Sequence, residues 1–333
     1  MRTRRLQSSS DPVSSTPPDL REGMGHRTVL LHEALNSLDI QSSDIVVDAT
    51  LGGAGHAAAI AGRLGKKGTL IGFDLDEDAI ERARTALHET QPHTHFVQSN
   101  FRALSSEFHR LGISHADKVL FDLGWSGFQL AVGRGFSFLK DEPLLMTYEK
   151  NPGPGTLTAR TIVNEWKEES IADILYGWGE ERYSRRIAKA IVERRVQRSI
   201  ETSEDLVEII KRSVPPVYRF GRIHPATRSF QALRIAVNDE LGAIKDGLRG
   251  ALELLAPRGR IAVIAFHSIE DRLVKQTFAD WVKDGKVNRI TKKPIIPSAV
   301  EIKTNPRARS GKLRVIEKVP TLQSGVIEKI VSQ

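Results

Sequence analysis

Residues 45–56 read Ile45-Val46-Val47-Asp48-Ala49-Thr50-Leu51-Gly52-Gly53-Ala54-Gly55-His56. Three β-branched residues in succession fit a strand buried on both faces, as in a parallel sheet. Asp48 closes the strand. Gly52, Gly53 and Gly55 make a turn that larger residues cannot follow closely. His56 and the apolar run 57–64 then open a helix. A strand, a glycine turn and a helix start form a cradle for a nucleotide-like ligand at the carboxyl edge of a sheet.

The acid narrows the ligand. In a dinucleotide site the glycines follow the strand directly and approach a pyrophosphate. Here Asp48 stands at the strand end, with three residues between it and Gly52. A carboxylate repels a pyrophosphate but suits a ligand with ammonium or hydroxyl groups, the character of S-adenosylmethionine. A plain tight turn is the competing reading.

Working outward, the pattern recurs. Leu70-Ile71-Gly72-Phe73-Asp74 reads as a second strand, residues 94–98 as a third and Lys118-Val119-Leu120-Phe121-Asp122 as a fourth. Helices are expected over 28–38, 56–64, 77–89 and 101–111. This run predicts an α/β, Rossmann-like, doubly wound and mostly parallel sheet. Asp74 is placed to accept both hydroxyls of an adenosine ribose, which suits NAD and S-adenosylmethionine alike; a helix cap is its bland alternative. Phe101 follows the third strand, where adenine packs in such folds, or is a core aromatic. Asp122 faces the reactive end of such a ligand, and Gln129 is a candidate anchor for adenine or the methionine end.

The alternation stops after Asp122. Residues 125–155 are loop-like and 157–213 carry helical periodicity only. After Pro225 a long helix is expected from about 227 to 255, then a turn at Pro257-Arg258-Gly259 and a strand over 261–266. The expected organisation is a disordered tail at 1–25, a core from 26–130 and 225–333, and an inserted all-α substrate-binding domain at 131–224.

Composition bounds the function. The 333 residues are 40% hydrophobic and 27% charged, as in a globular protein. No cysteine is present, which excludes disulfides, zinc–thiolate sites and thiol catalysis. No apolar run suits a membrane span and no signal-peptide core is seen, so a cytoplasmic protein without membrane partners is expected. Net charge is +8, and residues 281–318 hold 11 Lys/Arg against 3 Asp/Glu, a surplus of 8 by themselves. Residues 182–198 hold 7 Lys/Arg against one Glu. Arg185, Arg186 and Lys189 in one block, and Arg307 and Arg309 in the other, are candidate contacts to a polyanion, most simply nucleic acid; solvated helix faces are the alternative.

The remaining segments resemble the bacterial 16S ribosomal RNA cytosine-N4 methyltransferases, the RsmH (MraW) family. The matching stretches run in family order: 48–56, Asp122-Leu123-Gly124, Arg134-Gly135-Phe136-Ser137-Phe138, Gly179-Glu180-Glu181-Arg182, His224-Pro225-Ala226-Thr227-Arg228 with 230–235, 266–272 and 305–310. The resemblance implies a methyltransferase core with an inserted helical domain and S-adenosylmethionine as donor. It implies donor contacts at Ala54, Gly55, His56, Asp74, Phe101, Asp122 and Gln129, with no metal. It also implies a substrate, the exocyclic amine of the decoding-centre cytidine (C1402 in conventional rRNA numbering) of 16S rRNA in the small ribosomal subunit. Asp122 is the candidate catalytic group. Trp125 and Phe128 are candidates to stack on an extruded base. His224 and His267 are read as structural before catalytic, and His267, Glu270 and Asp271 are weighed against a metal cluster.

Three stretches depart from the family pattern, and in one of them the histidine-proline start of the family's N-terminal segment has become His26-Arg27-Thr28. Where the family has Asp-Leu-Gly-Val-Ser-Ser-Pro-Gln-Leu-Asp, this chain has 122–131 with Trp125, Gly127, Phe128 and Ala131. The family's Pro-Leu-Asp-Met-Arg-Met-Asp is here Pro143-Leu144-Leu145-Met146-Thr147-Tyr148-Glu149, so a carboxylate and an arginine are missing. A donor-binding but non-catalytic ribosome-assembly factor, and an NAD-dependent oxidoreductase, stand as alternatives. The chain is a monomer or a homodimer on this reading.

Overall fold

A computed structural model describes residues 27–124 and 133–320. Among these, seven strands form one sheet in the order β3-β2-β1-β4-β5-β7-β6. The strands are β1 (Ile45–Asp48), β2 (Thr69–Asp74), β3 (His93–Gln98), β4 (Ala116–Asp122), β5 (Leu255–Ala265), β6 (Val287–Arg289) and β7 (Lys312–Lys318). Strands β3 to β5 in that order are parallel, and β7 and β6 close the edge antiparallel.

Strand side chains alternate between two faces, and both faces are covered. Val46, Leu70, Leu120 and Ile264 pack with α1 (Leu31–Leu38), α2 (Gly55–Ala61) and α3 (Glu77–Ala86). Val47, Phe73, Phe121 and Val263 pack with α4 (Leu104–Leu111). That double burial explains the continuous apolar strands.

Between β4 and β5 lie α5 (Ala159–Glu165), α6 (Glu168–Gly179), α7 (Ser184–Gln197), α8 (Ser203–Ser213), α9 (Pro216–Arg219), α10 (Thr227–Asn238) and α11 (Glu240–Leu254). Thr158 and Thr202 start α5 and α8 by accepting from the amides of Thr161 and Asp205. A separate apolar cluster runs from Phe136 to Ala236 and is built mainly from α5–α8 and α10. Gly179 permits the close crossing of α6 and α10, since a β-carbon there would lie 2.5 Å from the Arg228 carbonyl oxygen. After β5, α12 (Ser268–Lys283) and the short α13 (Ala299–Thr304) complete the chain to β7.

Two expectations are corrected. The helix expected over 227–255 is two helices, broken at Asp239, whose φ is 46°. The Asn238 side chain donates to the carbonyls of Arg234 and Met146, at 2.9 and 2.8 Å, and so ties the break to the 143–149 segment. Strand β5 begins at Leu255 rather than 261. Arg258 takes a positive φ of 62° within it, and the pairing with β4 shifts register between Ala116 and Lys118, which accommodates Pro257.

Candidate functional site

A cavity of about 400 Å³ opens at the carboxyl ends of β1, β2 and β4, within the range of small-ligand sites. Its floor is the loop 49–53 with Gly55 and His56. Asp74, Phe101 and Asp122 stand on its sides, and Tyr148, Asn238, Glu240 and Glu270 enter from the chain beyond β4.

The carboxylates are held by backbone amides. Asp74 accepts from Gly52 at 2.8 Å and from Asp76 at 2.9 Å. Burial nevertheless raises its pKa above the ordinary value, the two amides opposing. The Asp122 amide donates to Thr50 Oγ1 at 2.8 Å, and its Oδ1 accepts from Gly124 at 3.2 Å. Its Oδ2 lies 3.4 Å from His56 Nδ1. Burial works against the imidazolium, but the hydrogen bond and charge of Asp122, with the charge of Asp48, outweigh it and raise the His56 pKa. Asp48 lies beneath this floor, fully buried, with Oδ1 accepting from the Thr50 amide at 3.1 Å. Burial pushes its carboxyl up to about 7 against the charge of His56 and the Thr50 amide. Asp48 Oδ2 and His56 Nε2 have no hydrogen-bond partner among the described residues.

The cavity roof joins the segments 27–30 and 301–310. A β-carbon on Gly55 would collide with the Thr28 hydroxyl. The Leu30 amide donates to Glu301 Oε1 at 2.7 Å, and Asn305 Nδ2 donates to the Arg27 carbonyl at 3.0 Å. Arg27, Thr28, Val29, Arg307 and Ser310 thus line one rim.

On the opposite side a charged network meets the cavity. Arg234 donates to Glu240 through Nε and a terminal nitrogen at 2.6 and 2.7 Å. The Tyr148 hydroxyl donates to Glu240 Oε1 at 2.7 Å. Burial, reinforced by Glu240, raises the Tyr148 pKa well above the phenol range. His267 caps α12 through a reciprocal arrangement with Glu270, and its Nε2 lies 2.9 Å from Glu270 Oε1. Glu240, His267 and Glu270 bring ligand-type atoms within 4.8 Å of one another. The Arg234 guanidinium reaches all three, at 3.4 Å from His267 and 4.0 Å from Glu270. It already balances the two carboxylates, so a bound cation would have to displace it. Asp271, weighed in the sequence as a third ligand, is instead paired with Lys312 and Arg314.

Of the candidate donor contacts, Gly55, His56, Asp74, Phe101 and Asp122 line the same cavity. Ala54 is buried in the turn at φ 61°. Phe101 meets Phe121 edge-on at 5.5 Å and packs against Gly247. Gln129, Trp125 and Phe128 lie outside the described residues. Arg185 and Lys189 are paired with Asp173 and Glu193 at the surface, and Arg186 lines a groove between α7 and α8. Arg307 and Arg309 are exposed beside the roof. His224 stacks flat on Phe138 at 4.7 Å, away from the cavity lining. Sequence reasoning missed Thr28, Tyr148, Arg234, Asn238 and Glu240. Only Arg234, a charge amid the apolar run of α10, gave a signal.

The residues fit S-adenosylmethionine. Asp74 and Asp122 put carboxylates on its sides, buried polar atoms of Asp48 and His56 stand without a partner among the described residues beneath the glycine turn, and apolar Leu75, Phe101 and Ile244 line it. This cavity on this sheet defines a class: a Rossmann-like, S-adenosylmethionine-dependent methyltransferase. A sequence profile of the MraW methylase family matches residues 23–319. Two curated relatives, the ribosomal RNA small subunit methyltransferases H of Brevibacillus brevis and Symbiobacterium thermophilum, are each 46% identical over 310 and 316 residues. The matches cover 88% and 90% of this chain and 98% of each relative. An rRNA methylase structure from Streptococcus thermophilus aligns with a TM-score of 0.41 at 12% identity, over 86% of this chain and 93% of that one. The chain belongs to the MraW methylase family. Among the described residues no helix is long and apolar enough to cross a membrane.

Proposed function

We propose that this protein methylates small-subunit ribosomal RNA, at N4 of the decoding-centre cytidine. The observation that carries the reading is the cavity joining the strand-end acids Asp74 and Asp122 to Tyr148 and Glu240, in a chain whose curated relatives are small-subunit rRNA methyltransferases.

When bound, S-adenosylmethionine supplies an electrophilic methyl on a cationic sulfur. Asp74 takes the ribose hydroxyls, Phe101 flanks the adenine, and the Gly55 turn with His56 and Asp122 holds the methionine end; Ala54 and Gln129 belong to the same set. Cytosine's amino lone pair is delocalised into its ring, so the amine needs acceptors that draw it out of plane and a path for its proton. Asp122 and the Leu123 carbonyl do this from the donor side. Tyr148, kept as a neutral phenol by burial beside Glu240, supplies a further acceptor oxygen. Trp125 stacks on the extruded base.

The helical block expected at 131–224 serves as the RNA-binding unit. Arg185, Arg186 and Lys189, with Arg307 and Arg309 across the cavity, contact phosphates. The surface ion pairs of Arg185 and Lys189 are weak enough to exchange for phosphate contacts.

Transfer of labelled methyl to unmodified small ribosomal subunits, followed by nucleoside mass spectrometry, tests the proposal. N4-methylcytidine at the decoding-centre position is expected. Donor binding without transfer would instead support an assembly factor.

A further inference from the structure

The turn 216–223, at the far end of α10 from the donor cavity, has no part in the site described above. It is unusual in two respects. Val217 and Phe220 are 87% and 82% exposed, and Ile223 is exposed beside them. The surrounding chain is also free of acids: residues 209–238 contain six Lys/Arg and no Asp or Glu. Arg219 precedes Phe220 and Arg222 follows it after Gly221; Arg222 is exposed, while Arg219 is half-buried, its buried Nε without a hydrogen-bond partner among the described residues.

This turn is braced rather than loose. Pro215 and Pro216 fix its entry. The Tyr218 hydroxyl donates to Glu181 at 2.6 Å, and its ring meets Tyr183 at 4.9 Å with Arg182 over both rings. His224, just beyond, stacks on Phe138, which in turn meets Phe230 edge-on. The backbone is therefore held while the Phe220 ring projects into solvent.

A rigidly mounted exposed aromatic between two arginines matches one partner chemistry closely. Bases of single-stranded nucleic acid stack on aromatic faces while arginines take the adjoining phosphates. We propose that Phe220 is a stacking platform for an unpaired nucleotide of the RNA substrate, with Arg219 and Arg222 on its phosphates. The positive charge disfavours a basic partner surface, and the aromatic ring distinguishes the turn from a plain phosphate patch. Helix α10 has 12 residues and so spans about 18 Å, and Asn238 at its other end lines the donor cavity. A strand engaged at Phe220 would be held a few nucleotides from the base to be methylated. This inference rests on RNA being the substrate.

Binding of the full-length protein to a mixed-sequence single-stranded RNA, to a duplex of equal length and to unmodified small subunits tests it, over a range of salt. Phe220→Ala should weaken single-stranded binding by roughly tenfold, leave the salt slope and donor affinity unchanged, and barely affect the duplex. Phe220→Trp should restore it, whereas Phe220→Leu should not. Arg219→Ala with Arg222→Ala should instead flatten the salt slope on single strands, by about 0.7 for each phosphate no longer neutralised. Equal RNA affinity in Phe220→Ala overturns the proposal. If that variant loses only binding to intact subunits, the turn docks on a ribosomal protein and the proposal is equally overturned. Failure of the wild-type protein to bind any of the three RNAs would refute the RNA reading itself, a result distinct from either.

Discussion

Asp48 gives a prediction whose size follows from its burial. The side chain is fully buried, one carboxylate oxygen lacks a partner among the described residues, and its pKa is pushed up to about 7 from 3.8. The folded protein therefore keeps a proton that the unfolded chain releases near pH 4. Between about pH 4 and pH 7 the folded state binds more protons, so stability falls as pH rises through that window. At 1.36 kcal/mol per unit the full effect is roughly 4 kcal/mol, reached above pH 7 and absent below pH 4. Asp48→Asn removes the charge and the dependence. Its stability relative to wild type should be greater at pH 8 than at pH 5 by about 2–3 kcal/mol, whatever the packing of the amide contributes equally at both. Urea titrations of both proteins at the two pH values measure this difference directly. A difference that does not change with pH, or one that grows toward pH 5, would refute the buried-carboxylate reasoning. The same charge sits beneath the cavity floor, so a cationic donor should lower the Asp48 pKa. Calorimetry should then show donor affinity rising through pH 7 in the wild type and more weakly in Asp48→Asn.

Other parts of the site lead to further expectations. Tyr148→Phe removes one hydrogen bond worth about 1 kcal/mol; single-turnover assays should show a several-fold slower transfer with donor affinity unchanged. Gly55→Ala drives a methyl into Thr28, and equilibrium unfolding should show a loss of about 1–3 kcal/mol together with weaker donor binding, both partly restored by Thr28→Ala. Arg234→Met strands Glu240 beside Glu270, and a loss of about 3–5 kcal/mol is expected in denaturant unfolding at neutral pH. Charge reversal of Arg185, Arg186 and Lys189 should flatten the salt dependence of rRNA binding in filter assays while leaving donor affinity alone.

Much of the cavity's strand side could be read in the chain because its determinants are local. Strand β1, the glycine turn and α2 lie within 17 consecutive residues, 45–61, and Asp74 and Asp122 end strands recognisable from their own β-branched and apolar runs. The helix expected over 227–255 misled for the converse reason. Its periodicity is continuous through Asp239, and the break is fixed by Asn238 bonding to Met146, 92 positions earlier.

The sequence alone therefore determined the parallel sheet, the acids at its strand ends, the helical block between β4 and β5 and the donor's chemical character. These follow from periodicity and from residue types within single elements. The tertiary structure decided the rest of the cavity. Its roof depends on Leu30 with Glu301 and Arg27 with Asn305, pairs 271 and 278 positions apart. Its side opposite the strand ends depends on Tyr148 meeting Glu240 across 92 positions. No local pattern specifies such pairings, because a side chain's partner across the fold is set by how the helices pack, and that packing is a property of the assembled core.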